Sequence, residues 1–496
     1  MASKKTFLNA IKWAYTGNSG ERGFSALFTF ILAAVLGPRD FGTLAIALVY
    51  ISFLQMFLDQ GFIAALIQKK NLEQEHLDAV FWMDVVLSLI LVGVSILLSG
   101  WWAARNHAPE VAKVILALSF CVPIGGLSAV QGAMLNRNLD FRALSIRGNT
   151  AVVVSGVVGI GMALAGFRVW ALVGQQITRD LTAVILLWRL SPWRPRLEFS
   201  ARHLKDLAGF AGSNFTAQLA IFTEMQASSV LLGLLFGPVA VGLYRLADRL
   251  VSSVVAMATT SIQAVSLPEF SRVQNDPAEL RKSALICIRL SSIVTLPVLS
   301  GMAAVSRPLM ATLGPKWIPA ADALRILCLI GMSIVFSCFT GPLLQALSRP
   351  HHLAALEWAR MTLGTALVVV AGLLVRNSTI DRQLMGIALA RCATMTCLVA
   401  PIFLSILMRL GKISFRDLTS AVAPSLVASL STVAAVVLFQ VSGWLAGGKP
   451  LILLIAQTAV GGFTGLTVLL ILDSQLCGLV VSLRQRMFRL LSVSRA

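Results

Sequence analysis

The segment FGTLAIALVYISFLQMFLDQGFIAALI at residues 41–67 carries a single charged side chain, Asp59. A run of about 20 apolar residues is long enough to cross the roughly 30 Å hydrocarbon core of a bilayer as a helix. Backbone amides in lipid must be satisfied within their own segment, and this run is too long and too continuously apolar for a barrel strand. The segment therefore predicts a transmembrane helix.

Comparable runs recur along all 496 residues, of which 57% are hydrophobic and only 13% charged. Soluble domains are roughly 45–50% apolar and about 25% charged, so a water-soluble fold cannot bury this much apolar surface. We predict an all-α polytopic membrane protein with about 14 transmembrane helices. The predicted spans are 14–36, 41–67, 78–103, 110–135, 143–166, 168–190, 207–236, 240–265, 283–306, 319–347, 352–375, 383–408, 419–444 and 451–473.

Basic residues concentrate at one set of span ends. That set holds 24 of the 41 Lys and Arg residues, whereas the alternate set holds 8. By the positive-inside rule the richer set is cytoplasmic, and it includes both chain ends. Topology thus accounts for the excess of 41 basic over 22 acidic residues. Because no soluble basic domain carries that excess, we expect no nucleic-acid partner.

Two related motifs indicate an internal repeat. LGPRDFG at 36–42 follows the first span, and FGPVAVG at 236–242 follows the first span after the longest loop. Six spans per half give equivalent helices the same orientation, as in parallel repeats with a pseudo-twofold axis along the membrane normal. The prediction is a six-helix N-terminal lobe at 1–190, a cytoplasmic linker at 191–206, a six-helix C-terminal lobe at 207–408, and two further helices with a basic cytoplasmic tail at 409–496.

Ionisable residues inside the first twelve spans are the candidates for function, because a charge at bilayer depth is costly and usually faces water or a partner. Arg245 and Arg249 lie four residues apart on one helix face, with Asp248 beside them. Guanidinium groups suit diphosphate oxygens better than an ammonium does. The competing explanation is a purely structural role in ion pairs. The arginines predicted to line an anion-accepting cavity are Arg22, Arg245, Arg249, Arg289, Arg360 and Arg391.

Carboxylates in the same spans are candidates for binding a coupling ion. A proton or sodium ion moving down the membrane potential supplies about 2.3 kcal/mol per 100 mV. The candidates are Asp59, Asp84, Glu224 and Asp248, and the sequence leaves open which of them has this role.

Motifs for catalysis and metal binding are missing from the sequence. No HExxH or GxSxG motif occurs, no CxxC pair occurs among the seven cysteines, and no loop exceeds about 20 residues. The five histidines lie in or near loops, and we expect them to form no ligand cluster. The sequence therefore predicts no metal, no cofactor and no enzyme activity.

Four segments carry a resemblance to a known family. They are LGPRDFGTLAIALVYISFLQMFLDQGFIAALIQKK (36–70), LGLLFGPVAVGLYRLADRL (232–250), LPEFSRVQND (267–276) and LGPKWIPAADALRIL (313–327). Together they resemble the polysaccharide-transporter branch of the multidrug/oligosaccharidyl-lipid/polysaccharide exporter superfamily. The resemblance implies two six-helix lobes around a central cavity that opens to one side at a time.

The resemblance also implies a function. Such flippases move sugar repeat units on a polyprenyl diphosphate from the cytoplasmic to the periplasmic leaflet, for capsule, O-antigen or exopolysaccharide assembly. By position, Arg22, Arg245 and Arg249 match the arginines that receive the diphosphate. We expect a monomer in the bacterial cytoplasmic (inner) membrane, whose partners are the lipid-linked oligosaccharide, membrane lipids, and a polysaccharide polymerase and glycosyltransferases.

Two other functions remain open from the sequence. A cation-coupled multidrug antiporter of the same fold needs a cavity dominated by carboxylates, which the arginine surplus disfavours. A membrane enzyme such as a sugar polymerase or glycosyltransferase needs a sizeable catalytic loop, which the short outer loops disfavour.

Overall fold

The computed structural model describes residues 4–59, 62–68, 72–138, 140–347, 350–443 and 449–472. These residues form an all-α structure, and no β-strand occurs among them. A 3₁₀-helix at Pro315–Ala320 and a π-helix at Ala393–Val399 accompany the α-helices. The α-helices are α1 (Lys4–Val35), α2 (Pro38–Asp59), α3 (Phe62–Gln68), α4 (Gln74–Arg105), α5 (Glu110–Ser119), α6 (Cys121–Arg137), α7 (Phe141–Leu164), α8 (Val169–Leu190), α9 (Ala201–Phe236), α10 (Pro238–Arg272), α11 (Pro277–Ala304), α12 (Ser306–Leu313), α13 (Ala321–Ile334), α14 (Thr340–Ala346), α15 (Pro350–Leu374), α16 (Ile380–Cys392), α17 (Ala400–Leu410), α18 (Phe415–Val441) and α19 (Pro450–Leu472).

Eleven helical segments of the described chain are long and apolar enough to cross a membrane. They coincide with eleven of the predicted spans, which confirms an all-α, multi-pass membrane protein. The predicted first, sixth and seventh spans fall in α1, α8 and α9, outside these eleven. In α8 the polar residues Gln175, Gln176, Arg179 and Asp180 lower the hydropathy. The total of fourteen spans stays a prediction.

Contacts divide the chain into two compact units. The first comprises Met1–Arg249 and Ala354–Ala390, and the second comprises Leu250–Leu353 and Arg391–Ala496. Each unit has its own buried apolar residues. In the first, Phe81, Val130 and Trp193 belong to one cluster and Leu32 and Leu172 to another. The predicted lobe boundaries stay a prediction.

The predicted linker is folded against the start of α4. The buried Asp78 carboxylate accepts a hydrogen bond from the backbone N–H of Arg196 at 2.9 Å. Trp82 Nε1 donates to the carbonyl of Arg196 at 2.6 Å, and Gln74 Nε2 donates to the carbonyl of Arg194 at 3.2 Å. These bonds satisfy backbone groups that a solvated loop would leave to water. The linker is therefore an ordered part of the first unit.

The two repeated motifs contact each other within the first unit. A Cβ atom on Gly42 would overlap the carbonyl oxygen of Pro238, and one on Gly242 would overlap that of Pro38. The Cβ atom added to Gly42 would lie 3.0 Å from the backbone nitrogen of Gly242, and the one added to Gly242 would lie 2.9 Å from the backbone nitrogen of Gly42. The contact is reciprocal, as a local twofold relation between α2 and α10 requires. Glycine is needed because backbone lies against backbone at both positions.

The second unit contains the last two spans. In this unit α18 packs on α11, where the hydroxyls of Ser292 and Ser425 lie 3.3 Å apart in a buried contact. The last span packs on α18 through Gly461 and Gly465, both of which face Thr432. Small residues at these crossings allow close helix packing in a lipid environment, where apolar residues alone give little driving force.

The glycine contact predicts that Gly42→Ala destabilises the protein, by about 1–3 kcal/mol, because the added methyl has no space. Gly93→Ala is the matched control. Gly93 is also within a helix but has nothing within 4 Å of an added Cβ, so alanine there gains helix propensity without a clash. Thermal unfolding of the purified protein, followed by a thiol-reactive dye on its buried cysteines, should show a lower midpoint for Gly42→Ala only. Equal midpoints for the two variants would show that the close approach is absent.

Candidate anion-binding site

Arg245 and Arg249 lie on one face of α10, as their spacing predicts, and each contacts another helix of the first unit. Arg249 Nη2 donates to the hydroxyl of Ser25 on α1 at 2.9 Å. Arg245 Nη2 donates to Gln226 Oε1 on α9. Arg249 also experiences electrostatic repulsion from both Arg245 and Arg179. Arg249 therefore interacts electrostatically with a guanidinium group of α8 and with another on its own helix.

The packing of α1 on α7 places an acidic residue beside these arginines. Ser145 Oγ donates to the carbonyl of Trp13 at 2.7 Å, and Asn149 Nδ2 donates to that of Gly17 at 3.1 Å. The Glu21 carboxylate then lies directly over Gly148, where any side chain would displace it. Polar and small residues thus fix how α1 sits along α7, and with it the position of Glu21.

Two carboxylates interact with the arginines. Glu21 Oε1 accepts a hydrogen bond from Arg179 Nη2 at 2.6 Å, in a pair that is partly exposed at 27% and 38%. Arg147 on α7 interacts electrostatically with Glu21, Arg179 and Asp180. Asp180 accepts two hydrogen bonds from Gln176, at 3.1 and 3.2 Å. The arginine cluster is defined as Arg147, Arg179, Arg245 and Arg249, and Glu21 and Asp180 interact with its members Arg147 and Arg179.

The predicted site omits two members of this cluster. Arg179 lies in a predicted span but is next to Asp180, so the sequence suggests an internal pair. Arg147 is only seven residues into α7, where hydropathy alone indicates the membrane interface. Both side chains join the cluster only through the packing of α1, α7 and α8 against each other. The one signal in the sequence is the polarity of Arg147 and Asn149 inside an otherwise apolar run.

The other predicted arginines have different surroundings. Arg22 is half-buried on α1, one residue from Glu21. Arg360 on α15 forms an ion pair with Glu357 at 2.8 Å. This pairing agrees with the competing explanation, a purely structural role in an ion pair. Arg289 and Arg391 belong to the second unit. Their place in one cavity with the arginine cluster stays a prediction.

The candidate carboxylates for ion coupling are partly described. Asp84 is buried in α4 with 2% exposure, beside Gly126 of α6. Asp248 is half-buried between the two cluster arginines of α10. The side chains of Asp59 and Glu224 lie outside the described part of the structure. A coupling role for any of the four stays a prediction.

The expectation that the histidines form no ligand cluster is wrong. Glu73, His76 and His203 each place one potential ligand atom within 4.8 Å of the others. The linker fold brings His203 to the start of α4, a contact between distant residues that spacing cannot reveal. Glu73 and His76 also form a capping box, in which His76 Nδ1 accepts the Glu73 backbone N–H at 3.3 Å. That nitrogen already has a structural function, so the cluster is explained by helix capping and linker docking.

Comparisons with known proteins support the resemblance seen in the motifs. The succinoglycan biosynthesis transport protein ExoT of Rhizobium meliloti (strain 1021) is 25% identical over 337 residues, which are 68% of each chain. The teichuronic acid biosynthesis protein TuaB of Bacillus subtilis (strain 168) is 27% identical over 307 residues, 60% of this chain and 62% of that protein. The lipopolysaccharide biosynthesis protein WzxC of Escherichia coli (strain K12) is 23% identical, over 70% of this chain and 72% of that protein.

Solved structures show the same fold. The inward closed conformation of the lipid II flippase MurJ has a TM-score of 0.69 at 13% identity, covering 94% of this chain and 99% of that chain. The inward-facing conformation of a multidrug resistance MATE family transporter of the MOP superfamily has a TM-score of 0.62 at 15% identity, covering 80% and 95%. At such low identity these likenesses establish the fold alone. Residues 31–322 match the family described as "Polysaccharide biosynthesis protein", and the chain belongs to that family.

Proposed function

We propose that this protein is a flippase that moves oligosaccharide repeat units on a polyprenyl diphosphate across the bacterial cytoplasmic membrane, for surface polysaccharide assembly. The observation that carries the proposal is the arginine cluster, whose members come from α7, α8 and α10. The printed functions of ExoT, TuaB and WzxC, in succinoglycan, teichuronic acid and lipopolysaccharide biosynthesis, support the same substrate class.

The cluster suits a diphosphate for electrostatic reasons. Guanidinium groups donate paired hydrogen bonds to phosphate oxygens, and such charge-assisted bonds are about twice as strong as neutral ones. Four like charges at membrane depth repel each other, and Glu21 and Asp180 offset part of that repulsion. A bound diphosphate would offset this repulsion in place of Glu21, since Arg179 can exchange the Glu21 carboxylate for a phosphate oxygen.

Release requires the reverse exchange. If the Glu21 carboxylate pairs with Arg179 again, the diphosphate loses one hydrogen-bond donor and its affinity for the site falls. A flippase needs such a competitor, because a site that binds substrate too tightly cannot discharge it on the far side. Alternating access between the two membrane faces supplies the path, and the predicted six-helix lobes at 1–190 and 207–408 would be the moving bodies.

The antiporter alternative predicts a different cavity. A cation-coupled drug exporter needs a cavity dominated by carboxylates, whereas the described site brings together guanidinium groups from α7, α8 and α10. The MATE likeness concerns the fold and is equally compatible with both functions. The arrangement of charge therefore favours an anionic substrate. Coupling through Asp59, Asp84, Glu224 or Asp248 remains part of the proposal for the driving force.

The remaining parts of the proposal concern the cell. We propose that both termini are cytoplasmic, in accordance with the distribution of basic residues. We further propose that the protein acts as a monomer beside a polysaccharide polymerase and glycosyltransferases, as a carrier of their lipid-linked product and without catalysis of its own.

Replacing Arg245 and Arg249 together with alanine should reduce surface polysaccharide by at least about tenfold, because each lost charge-assisted contact is worth about 1.5–3 kcal/mol. The measurement is polymer on cells in which the variant is the sole copy, with membrane levels of the protein quantified in parallel. Arg272→Ala is the control, since Arg272 is an exposed arginine at the end of the same helix, paired with Glu269. Normal polymer from a well-expressed double variant would refute the proposed role of the cluster.

Glu21→Gln and Arg179→Gln should have opposite effects on diphosphate binding. Removing the Glu21 charge frees Arg179, so the affinity for farnesyl diphosphate should rise about fivefold, whereas losing Arg179 should lower it by a similar factor, each about 1 kcal/mol. Isothermal titration of the purified full-length protein measures both, with farnesol as the uncharged control. A merely structural ion pair predicts that both variants bind equally well or both lose affinity.

A further inference from the structure

A groove of about 440 Å³ lies between α11 and α18 in the second unit. Three basic side chains, Arg281, Lys282 and Arg289, line it together with one carboxylate, Asp417. Arg289 comes eight residues after Arg281, which is about 12 Å along a helix at 1.5 Å per residue. Positive charge thus extends from the first turns of α11 into its membrane-crossing part.

The charges in the groove are accessible to an added anion. Arg281 pairs with Asp417, but these side chains are 42% and 23% exposed. Lys282 lies 3.5 Å from Glu279, and both side chains are more than half exposed. Ion pairs in such solvated positions contribute little to stability, so a phosphate can compete for them. The lining groups themselves carry an excess of positive charge.

An apolar stripe continues from the groove along the same helix. Ile286 lines the groove, and Leu290, Val294 and Val298 follow at four-residue intervals, each 45–48% exposed. Residues four apart share a helix face, so these side chains form one continuous strip. The basic groups complement a charged headgroup, and the apolar strip complements the hydrocarbon chain attached to it. A free phosphate ion has no such chain.

We propose that this groove binds an anionic phospholipid of the leaflet at its own end of the membrane, by the positive-inside rule the cytoplasmic leaflet. The headgroup phosphate lies among Arg281, Lys282 and Arg289, and one acyl chain follows the strip from Ile286 to Val298. The lipid thereby joins α11 to α18 and reinforces their packing at Ser292 and Ser425. In this proposal Arg289 binds lipid phosphate, independently of the proposed transport function.

The test uses two variants that differ by one position. Ser420 lines the groove, whereas its exposed neighbour Thr419 does not, and each side chain bonds a carbonyl three residues back on α18. Ser420→Glu adds a negative charge inside the groove and leaves the pair between Arg281 and Asp417 intact; Thr419→Glu adds the same charge outside. Native mass spectrometry of the full-length protein, titrated with phosphatidylglycerol, should show the apparent Kd raised at least about tenfold by Ser420→Glu and changed less than about twofold by Thr419→Glu.

Two further measurements distinguish a phospholipid from a soluble phosphate compound as the bound ligand. Phosphatidylcholine with the same acyl chains should bind at least about tenfold more weakly than phosphatidylglycerol, and glycerol 1-phosphate should not displace the lipid at equal concentration. Equal binding of the two lipids, equal effects of the two Glu variants, or competition by glycerol 1-phosphate would each overturn the proposal. Should Ser420→Glu fold poorly, the double variant Lys282→Gln with Arg289→Gln replaces it, with Arg272→Gln as control.

Discussion

The cost of holding charge in hydrocarbon governs this structure. An ionised side chain at bilayer depth must find water, an opposite charge or hydrogen bonds, so the helices that carry such groups pack where these are available. The register of α1 on α7 places Glu21 against Arg179, while Arg245 and Arg249 reach Gln226 and Ser25. The same requirement accounts for the polar residues Gln175, Gln176, Arg179 and Asp180, which lower the hydropathy of the sixth predicted span. One of these residues, Arg179, belongs to the arginine cluster, whose other members lie on α7 and α10.

The sequence determines the helices well, because hydropathy and length act locally. It also identifies Arg245 and Arg249, whose four-residue spacing places them on one face in any helix. It does not identify Arg147 or Arg179, which join the cluster only through packing of α7 and α8. The approach of His203 to Glu73 likewise depends on how residues 191–206 fold back onto α4. Local pattern thus predicts elements and faces, whereas partners come from tertiary contacts that spacing does not encode.

Phosphate recognition links the two proposals in this protein. The arginine cluster in the first unit and the basic groove between α11 and α18 both bring together several basic side chains. They differ in surroundings: the cluster joins residues of α7, α8 and α10, while the groove opens beside an apolar strip that suits acyl chains. Arg289 shows how this difference changes an interpretation. Its depth in the membrane alone suggests a transport cavity, and its neighbours indicate a site for lipid.

The mutual approach of Gly42 and Gly242 couples two positions that are about 200 residues apart in the sequence. Each residue lies against the carbonyl oxygen of the proline in the other motif, so neither position can change without affecting the other half of the chain. A larger residue in either copy of the motif has to be tolerated by the backbone of both. The local geometry of both copies of the motif is therefore set by a single backbone crossing.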